Sequence, residues 1–391
     1  MAVCICESDP ERYFREIAAS YGRRENVFLL NPTWTPKQQE FAGNLIERFE
    51  RVSGKLHGKI FIASGGSGGK LRFVAHTRET LESSARAFIR QLELPANAPL
   101  NCFSCLPPYH ISGLMTFVRS QLSGGKLFIA SDGGFHRDAA LDKFRRNDEE
   151  YWMISLVPTQ LKRILELKSG AEWLRQFNFI LLGGAAVSPE LIRRAANANL
   201  NFGIGYGMTE TASLVSLWRY GDSETIAGTS LPHARIFVSE NDSRICIAAE
   251  SLGETLKEDG TLIPNPNGVF ETNDEGCFDE AGRLQILGRA DRYINSGGEK
   301  IDPKLIEQAL REAGAADSMV VGEADREWGE RVVALIIPPF PQDIISRLRA
   351  RFPAWMLPKR ICRVDALPLD AKGKLNRLAL AEILQNREAE N

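Results

Sequence analysis

The amino-acid sequence lacks several features that would assign it to a specialised class of protein. No apolar run approaches the roughly 20 residues that a transmembrane helix needs, so we expect no membrane span. Neither sign of charge dominates, since 48 basic and 50 acidic residues give a formal net charge of −2. This balance argues against nucleic acid or an acidic membrane surface as a partner. Internal repeats and low-complexity segments are also absent.

Cysteine is too sparse for a disulfide scaffold. The seven cysteines are an odd number and are scattered, and the opening residues MAVCICE show no secretory signal. We therefore expect reduced thiols in a cytoplasmic protein. Cys102 and Cys105 have the spacing of a metal or redox pair, but no second pair accompanies them and their surroundings look like a strand. They are predicted to be buried structural thiols.

The 391 residues suffice for two or three compact units. Residues 1–55 are predicted to be helical, and from residue 59 strand-like runs alternate with amphipathic helices, which indicates a layered α/β domain. We predict strands at 100–106, 126–130, 151–157 and 177–182, and helices at 78–94, 159–167 and 189–197. Thr77 and Ser188 are expected to cap two of these helices.

The second half of the chain changes character. Residues 231–287 read as short strands with Gly, Asn and Pro turns, which favours a small β-barrel-like subdomain. After it we predict a helix at 303–313, strands at 318–322 and 331–338, and a helix at 343–351. The expected domains are therefore an N-terminal domain of residues 1–288 and a small α+β C-terminal domain of residues 289–391.

The most informative segment is GYGMTE, residues 205–210. Its glycines, Gly205 and Gly207, flank Tyr206, an aromatic ring able to stack on a purine. After Met208, Thr209 supplies a hydroxyl for a phosphate oxygen, and Glu210 supplies a hard carboxylate oxygen for Mg²⁺. This pattern predicts a loop that binds a nucleotide and its metal. The alternative is a surface turn with an incidental acid.

A second Gly/Ser-rich segment reads SGGSGGK, residues 64–70. Its successive backbone N–H groups and hydroxyls suit an anion. The phosphate loop of nucleoside triphosphatases requires GxxxxGK[ST], but Ser64 replaces the first Gly and Leu71 the final Ser or Thr. Strand-like runs lie on both sides, so we predict a hairpin bend and not a strand-to-helix loop. A flexible turn without a ligand is the alternative.

The third segment is the tail DAKGKLNR, residues 370–377. Alone, its lysines would be read as solvated charge. Together with the two preceding segments it completes an ordered set of motifs. The others are LPPYHISGL at 106–114, LGGAA at 182–186, FETNDEG at 270–276 and GRADRYI at 288–294.

All seven motifs lie between about Lys59 and Arg377, in the order in which the acyl-adenylate-forming (AMP-binding) superfamily carries them. The chain therefore resembles that superfamily. Within it, HISGL, GMTETAS and INSGGE are most similar to the o-succinylbenzoate–CoA ligase family of menaquinone and phylloquinone biosynthesis. Two departures stand out. The usual TGxPK has become GGKL, which leaves Lys70 and Arg72 as alternative replacements for the loop lysine, and the usual TGD is Thr272-Asn273-Asp274.

The resemblance implies an enzyme that uses ATP, Mg²⁺ and coenzyme A to convert a small carboxylate, o-succinylbenzoate, to its thioester through an acyl-adenylate. It also implies a role for each motif residue. The β- and γ-phosphates would be held by Ser64, Gly65, Gly66, Ser67, Gly68 and Gly69. The adenine would be lined by Gly183, Gly184 and Ala185, and the ribose bound by Asp274 and Arg289.

The remaining implied roles concern catalysis. Thr209 would touch the α-phosphate, Glu210 would bind Mg²⁺, and Lys374 would bridge the carboxylate and the α-phosphate. The C-terminal domain would rotate about Asp291 and bring Gly297 and Gly298 to the pantetheine tunnel. His110 would gate the acyl pocket, and a satisfied core histidine is the alternative reading. A homodimer is a candidate assembly, and the oligomeric state is left open.

Three alternatives to this function are retained. One is a CoA ligase for another aryl or short acyl carboxylate. Another is a P-loop kinase or nucleoside triphosphatase, which would release ADP instead of AMP. The third is an inactive acyl- or nucleotide-binding protein, which would bind ATP without turnover.

Overall fold

The chain folds into two compact units. A computed structural model describes residues 2–23, 25–54, 58–65, 71–92, 94, 98–130, 144–147, 149–223, 226–289, 293–296, 299–325, 329–349, 351–369 and 375–386. The first unit comprises Met1–Thr272 and Gly276–Ile286, and the second Asn273–Glu275 and Leu287–Asn391. The expected division after residue 288, with a mobile second domain, stays a prediction.

The helices begin where the sequence supplies caps. Ser188 and Thr77 cap their helices, as predicted. Ser188 accepts a hydrogen bond from Leu191 N ahead of Pro189, and Thr77 also forms a capping box with Thr80. The described α-helices are Pro10–Tyr21, Pro36–Val52, Arg78–Gln91, Ile111–Ser123, Pro158–Glu166, Gly170–Leu174, Pro189–Asn197, Pro303–Glu312, Ile344–Arg349 and Arg377–Asn386.

The described strands are numbered in chain order. They are β1 (Val3–Ile5), β2 (Val27–Leu29), β3 (Lys59–Gly65), β4 (Leu71–Thr77), β5 (Leu100–Ser104), β6 (Leu127–Ile129), β7 (Tyr151–Leu156), β8 (Phe179–Leu182), β9 (Phe202–Met208), β10 (Ser213–Arg219), β11 (Ala227–Ser230), β12 (Ala234–Val238), β13 (Arg244–Ala249), β14 (Glu254–Leu256), β15 (Leu262–Ile263), β16 (Phe270–Phe278), β17 (Leu284–Arg289), β18 (Ile294–Ser296), β19 (Glu299–Ile301), β20 (Asp317–Asp325), β21 (Gly329–Ile337) and β22 (Arg360–Arg363).

A six-stranded sheet has the order β1-β2-β3-β4-β14-β15. Strands β1, β2 and β3 pair in parallel, and β4 returns antiparallel to β3. The prediction of helix throughout residues 1–55 was wrong at β1 and β2. Strands of only three residues have too short a sequence for periodicity to reveal them. They form because β2 pairs with β3 and β1 pairs with β2.

An eleven-stranded sheet has the order β12-β13-β16-β17-β11-β10-β9-β8-β7-β5-β6. Strands β6, β5, β7, β8 and β9 are parallel neighbours. The segment predicted to be barrel-like, 231–287, has no sheet of its own. Its strands β12, β13, β16 and β17 continue this sheet, while β14 and β15 join the six-stranded one, because open sheet edges accept further strands.

The second unit is a small α+β fold. Its sheet has the order β19-β18-β21-β20, with β22 parallel to β21. Its core includes Ile306 and Leu310 of the helix Pro303–Glu312, packed with Val332 and Ile336 of β21. The predicted elements of this domain occur in the predicted order.

The cysteine prediction is confirmed. Cys102 and Cys105 are buried free thiols, and burial raises the pKa of each to about 12. No helix in the described part of the chain combines the length and the apolarity that a membrane crossing requires.

Candidate active site

The predicted nucleotide motifs meet at the carboxyl ends of β8 and β9. These strands are parallel, with Leu182 opposite Ile204, so the chain reaches Gly183 beside Gly205. A β-carbon on Gly183 would lie 3.7 Å from the Gly205 carbonyl oxygen. Gly184 has φ +80°, which lets the chain turn away from the strand end. Ala185 follows, half-buried. This edge of an α/β sheet is where ligands bind in such folds.

The segment predicted to be a loop is the end of a strand followed by a tight turn. Residues 202–208 form β9, a 3₁₀ turn covers Thr209–Thr211, and Ala212 and Ser213 follow with φ values of 50° and 87°. Thr209 and Glu210 therefore leave the sheet edge on a turn, half-buried. Tyr206 and Met208 pack against the cluster around Val215, Ile236 and Ile245.

Gly205 and Gly207 have a packing role that sequence reasoning did not assign to them. A β-carbon on Gly207 would lie 1.7 Å from the Ser213 carbonyl oxygen, and one on Gly205 would lie 2.2 Å from Leu214 Cδ2. Both glycines thus allow β10 to approach β9 closely. The expectation that they admit a ligand stays a prediction.

Strands β3 and β4 bring the Gly/Ser segment to this turn. They form an antiparallel hairpin, with Ser64 opposite Arg72. Ser64 Oγ donates a hydrogen bond to Glu210 Oε1 at 3.0 Å across 146 residues of sequence. The predicted hairpin is confirmed, and it excludes the P-loop kinase, whose loop leads from a strand into a helix. Gly65 ends β3, whereas Gly66, Ser67, Gly68, Gly69 and Lys70 lie outside the described residues.

One face of the β3–β4 hairpin is directed at the turn. Directly paired residues of antiparallel strands point to the same side, so Arg72 shares the face of Ser64. His76 lies four residues further along β4 and is therefore on the same face. Arg72 is exposed, and no ion pair is recorded for it among the described residues. His76 is fully buried and its Nε2 lies 2.7 Å from the Thr209 carbonyl oxygen.

Sequence reasoning missed His76. Its contact with Thr209 spans 133 residues, and nothing in the local pattern FVAHT indicates it. The one signal available was a histidine next to the apolar run Phe73–Ala75.

His110 lies at the N-terminus of the helix Ile111–Ser123. Its ring meets Tyr109 edge to face at 4.6 Å, and Tyr109 in turn contacts Tyr13. The residue is half-buried, so its imidazole is accessible in part. Whether it gates an acyl pocket or fills the core stays a prediction.

Two acidic residues of the FETNDEG motif have partners within the second unit. Arg289 Nη1 lies 3.4 Å from Asp274 Oδ1, and Tyr293 OH donates to Glu275 Oε2 at 2.7 Å. The Glu275 carboxylate raises the pKa of Tyr293 to about 12. The structure thus brings together the two residues predicted to bind the ribose. Asp291, Gly297, Gly298 and Lys374 lie outside the described residues.

The residues around Glu210 fit Mg²⁺. This ion is usually held by one or two carboxylates, with waters and substrate phosphates completing an octahedron. Glu210 is half-buried, and among the described residues one of its carboxylate oxygens accepts a side-chain hydrogen bond, from Ser64. Within the described ranges no three His, Cys, Asp or Glu side chains gather into a protein-only metal cage. The arrangement favours a metal shared with a nucleotide.

Comparison of the sequence with models of known protein families identifies the family of this chain. Residues 60–256 match the model of the AMP-binding enzyme family, and residues 305–374 match the model of the AMP-binding enzyme C-terminal domain. The chain belongs to the AMP-binding enzyme family. The resemblance inferred from the seven motifs is thereby confirmed.

Similar enzymes share much of this AMP-binding enzyme's length. It is 30% identical over 329 residues to 2-succinylbenzoate–CoA ligase of Listeria monocytogenes, covering 82% of this chain and 68% of the relative. It is 28% identical over 334 residues to the probable 2-succinylbenzoate–CoA ligase of Mycobacterium tuberculosis, covering 82% and 83%.

Solved structures agree in fold. The o-succinylbenzoate CoA synthetase of Bacillus subtilis in complex with the acyl-adenylate intermediate aligns with a TM-score of 0.77 at 22% identity, covering 97% of this chain and 87% of that one. The same enzyme in complex with ATP and magnesium ion aligns with a TM-score of 0.67 at 25% identity, covering 82% and 69%. The predicted fold class, a large α/β domain with a smaller C-terminal domain, is confirmed.

Proposed function

We propose that this AMP-binding enzyme is a 2-succinylbenzoate–CoA ligase. In the first half-reaction the carboxylate attacks the α-phosphorus of ATP, forming the acyl-adenylate and expelling pyrophosphate. In the second, the thiol of coenzyme A attacks the acyl carbon, and AMP leaves with its electron pair on the phosphate oxygen. The thioester supplies the activated acyl group for menaquinone or phylloquinone biosynthesis.

The observation that carries the proposal is the hydrogen bond from Ser64 Oγ to Glu210 Oε1 at 3.0 Å. It joins the strand that leads into the Gly/Ser segment to the turn that follows β9. A polyphosphate bound by the first would lie next to a metal bound by the second. The 30% identity to the Listeria ligase supports the choice of 2-succinylbenzoate as the acid.

Catalysis must come mainly from placement and positive charge, because an anion attacks a polyanion. In the first unit, Glu210 would hold Mg²⁺, which offsets the charge of the phosphates. Thr209, beside it on the same turn, offers its hydroxyl to the α-phosphate. Ser64 and the N–H groups of residues 65–69 would bind the β- and γ-phosphates, and Gly183 to Ala185 would line the adenine next to Tyr206.

The second unit would supply the remaining groups. Asp274 suits both ribose hydroxyls, since a carboxylate accepts two hydrogen bonds at once. Arg289 orients that carboxylate at 3.4 Å. Lys374 would stabilise the charge that develops between the substrate carboxylate and the α-phosphate. In the second half-reaction Gly297 and Gly298 would let the backbone approach the pantetheine arm.

Incubation with 2-succinylbenzoate, ATP, Mg²⁺ and coenzyme A tests the proposal. We expect AMP, pyrophosphate and a thioester in equal amounts. A panel of benzoates, cinnamates and short fatty acids identifies any other acid by acid-dependent pyrophosphate release. If the protein binds ATP but releases no AMP with any acid of the panel, the remaining alternative is an inactive nucleotide-binding protein.

Two further properties are proposed with the function. All seven cysteines are free thiols, which supports the cytoplasmic location expected from the sequence. A homodimer also remains a prediction, and light scattering after size exclusion would measure it.

A further inference from the structure

We propose that His76, Ser251 and Gly253 form a support that positions the turn carrying Thr209 and Glu210. His76 is its principal side chain, and it acts as a positioning residue that does not touch substrate. The inference rests on the proposed function, because it assigns that turn to Mg²⁺ and ATP.

The support binds three successive carbonyl groups of the turn. His76 Nε2 lies 2.7 Å from Thr209 O, the backbone N–H of Gly253 donates to Glu210 O at 2.9 Å, and Ser251 Oγ donates to Thr211 O at 2.8 Å. The donors come from β4 and from the segment that enters β14. Because strands β4 and β14 pair directly, they hold these donors in a fixed relation.

The hydrogen bonds of His76 define its state. The Thr209 carbonyl can only accept, so Nε2 carries the proton, and Thr80 Oγ1 lies 3.2 Å from Nδ1. The ring is 0% exposed and burial lowers its pKa to about 4, so the imidazole is neutral at physiological pH. Because Nε2 donates to the Thr209 carbonyl and the ring is fully buried, the imidazole has no means of reaching a substrate proton.

The turn needs such support because its backbone is strained. Ala212 and Ser213 are non-glycine residues with positive φ values of 50° and 87°, a backbone conformation that residues with a β-carbon rarely adopt. Conformations of this kind persist only where the surroundings determine them. Ala212 is fully buried, and a further donor, Arg119 Nη2, lies 3.3 Å from Ser213 Oγ.

Gly253, which precedes β14, packs against the imidazole of His76 on the neighbouring strand β4. A β-carbon on Gly253 would lie 2.5 Å from Val74 Cγ1, 2.7 Å from His76 Cε1 and 2.8 Å from His76 Nε2. Gly253→Ala therefore retains the N–H that binds Glu210 O but displaces the imidazole together with the Val74 side chain. His76→Leu is the variant that removes the ring alone.

The test compares His76→Leu, His76→Gln, Ser251→Ala and Gly253→Ala in the full chain. First, ATP binding is titrated with Mg²⁺ by calorimetry without any acid. We expect His76→Leu and Gly253→Ala to weaken Mg²⁺-dependent ATP binding about tenfold or more, and His76→Gln, which retains a donor, to recover most of it. Ser251→Ala removes one of three donors and should give a smaller loss.

The two half-reactions give a second measurement. Pyrophosphate release should fall about 10- to 100-fold in His76→Leu, whereas thioester formation from supplied acyl-adenylate should stay within about twofold. Phe28→Leu is the matched control, since Phe28 is fully buried against Phe61 in the same sheet and away from the turn. Phe28→Leu should lower the stability of the protein without lowering pyrophosphate release more than thioester formation.

Several outcomes would overturn the inference. One is an equal loss of both half-reactions in the His76 variants, in proportion to their lowered stability as in Phe28→Leu. Another is unchanged Mg²⁺-dependent binding in folded His76→Leu, Ser251→Ala and Gly253→Ala alike. Wild-type protein that binds ATP with Mg²⁺ but activates no acid would sink the proposed function alone, because the binding comparison uses no acid.

Discussion

The register of the β3–β4 hairpin favours Arg72 over Lys70 as the replacement for the missing loop lysine. Lys70 and Arg72 are equivalent in the sequence as sources of positive charge. The pairing of Ser64 with Arg72 places this arginine on the face of the hairpin that also carries the Ser64–Glu210 hydrogen bond. Its guanidinium is exposed, without a recorded ion pair in the described residues, and could serve a bound phosphate.

Arg72→Ala should therefore raise the KM for ATP about ten- to a hundredfold, the loss expected for a charge-assisted contact. Lys70→Ala should change it much less. Arg51→Ala is the control, since Arg51 is an exposed arginine in the helix Pro36–Val52. Initial rates at varied ATP measure all three, and a larger effect at Lys70 than at Arg72 would reverse the assignment.

His76 also predicts how the first unit responds to acid. Its pKa is about 4 when folded against an ordinary 6.5, so between these values the unfolded chain binds a proton that the folded chain does not. The free energy of unfolding should thus fall as pH drops from 6.5 toward 4, by about 3 kcal/mol in full. The charged groups nearby are Lys59, whose field acts in the same direction, its ion-pair partner Glu254, and Glu210 on the turn.

Urea unfolding of wild type and His76→Gln at pH 7 and pH 4.5 would measure this. The variant should lose less stability between the two pH values, because glutamine does not titrate. The two carboxylates nearby remain in both proteins and cancel in the comparison. Parallel losses in the two proteins would show that this imidazole contributes nothing to acid sensitivity.

At the scale of elements, β9 and β10 can approach each other closely because Gly205 and Gly207 have no β-carbon. Gly207→Ala would place a carbon 1.7 Å from the Ser213 carbonyl oxygen, a backbone atom that cannot rotate away. We expect it to separate the strands and displace the turn, lowering both stability and adenylation by a large factor. Gly43→Ala is the control, since it meets nothing within 4 Å in a helix interior and should stabilise by about 1 kcal/mol. Thermal unfolding and pyrophosphate release would compare the two.

The elements that the sequence predicted well are those with local signals. The helices Arg78–Gln91 and Pro189–Asn197 carry their own caps, and β7 and β8 are apolar runs of ordinary strand length. The rest depended on distant partners. The short β1 pairs with β2, and the strands of 231–287 pair with sheets formed by other segments of the chain.

The candidate site shows the same division. Ser64, Thr209, Glu210, Asp274 and Arg289 were predicted from motif order, because their chemistry recurs at fixed spacing, and their roles stay predictions. The donors that hold the turn were not found. Ser251 and His76 are ordinary residues in sequence, and the pairing of β4 with β14 brings them to the Thr211 and Thr209 carbonyl groups of one turn.

At the scale of the whole molecule, the proposed chemistry is divided between the two units. Glu210 and Thr209 belong to the first, whereas Asp274, Arg289 and Lys374 belong to the second. In the proposed mechanism Lys374 stabilises the transition state of adenylation only. Coenzyme A attacks an acyl carbon already activated by its bond to AMP, and this step does not need an ammonium group at the α-phosphorus.

Lys374→Ala should accordingly separate the half-reactions. Acid-dependent pyrophosphate release should fall by about a hundredfold or more, which is the cost of removing one charge-stabilising group from a transition state. Thioester formation from supplied acyl-adenylate should stay close to wild type. Lys359→Ala, at an exposed lysine of the same unit, should leave both rates unchanged. Equal loss of both rates in Lys374→Ala would mean that this lysine supports the fold or the acyl-adenylate complex in general, and the assignment of a separate catalytic group to each half-reaction would fail.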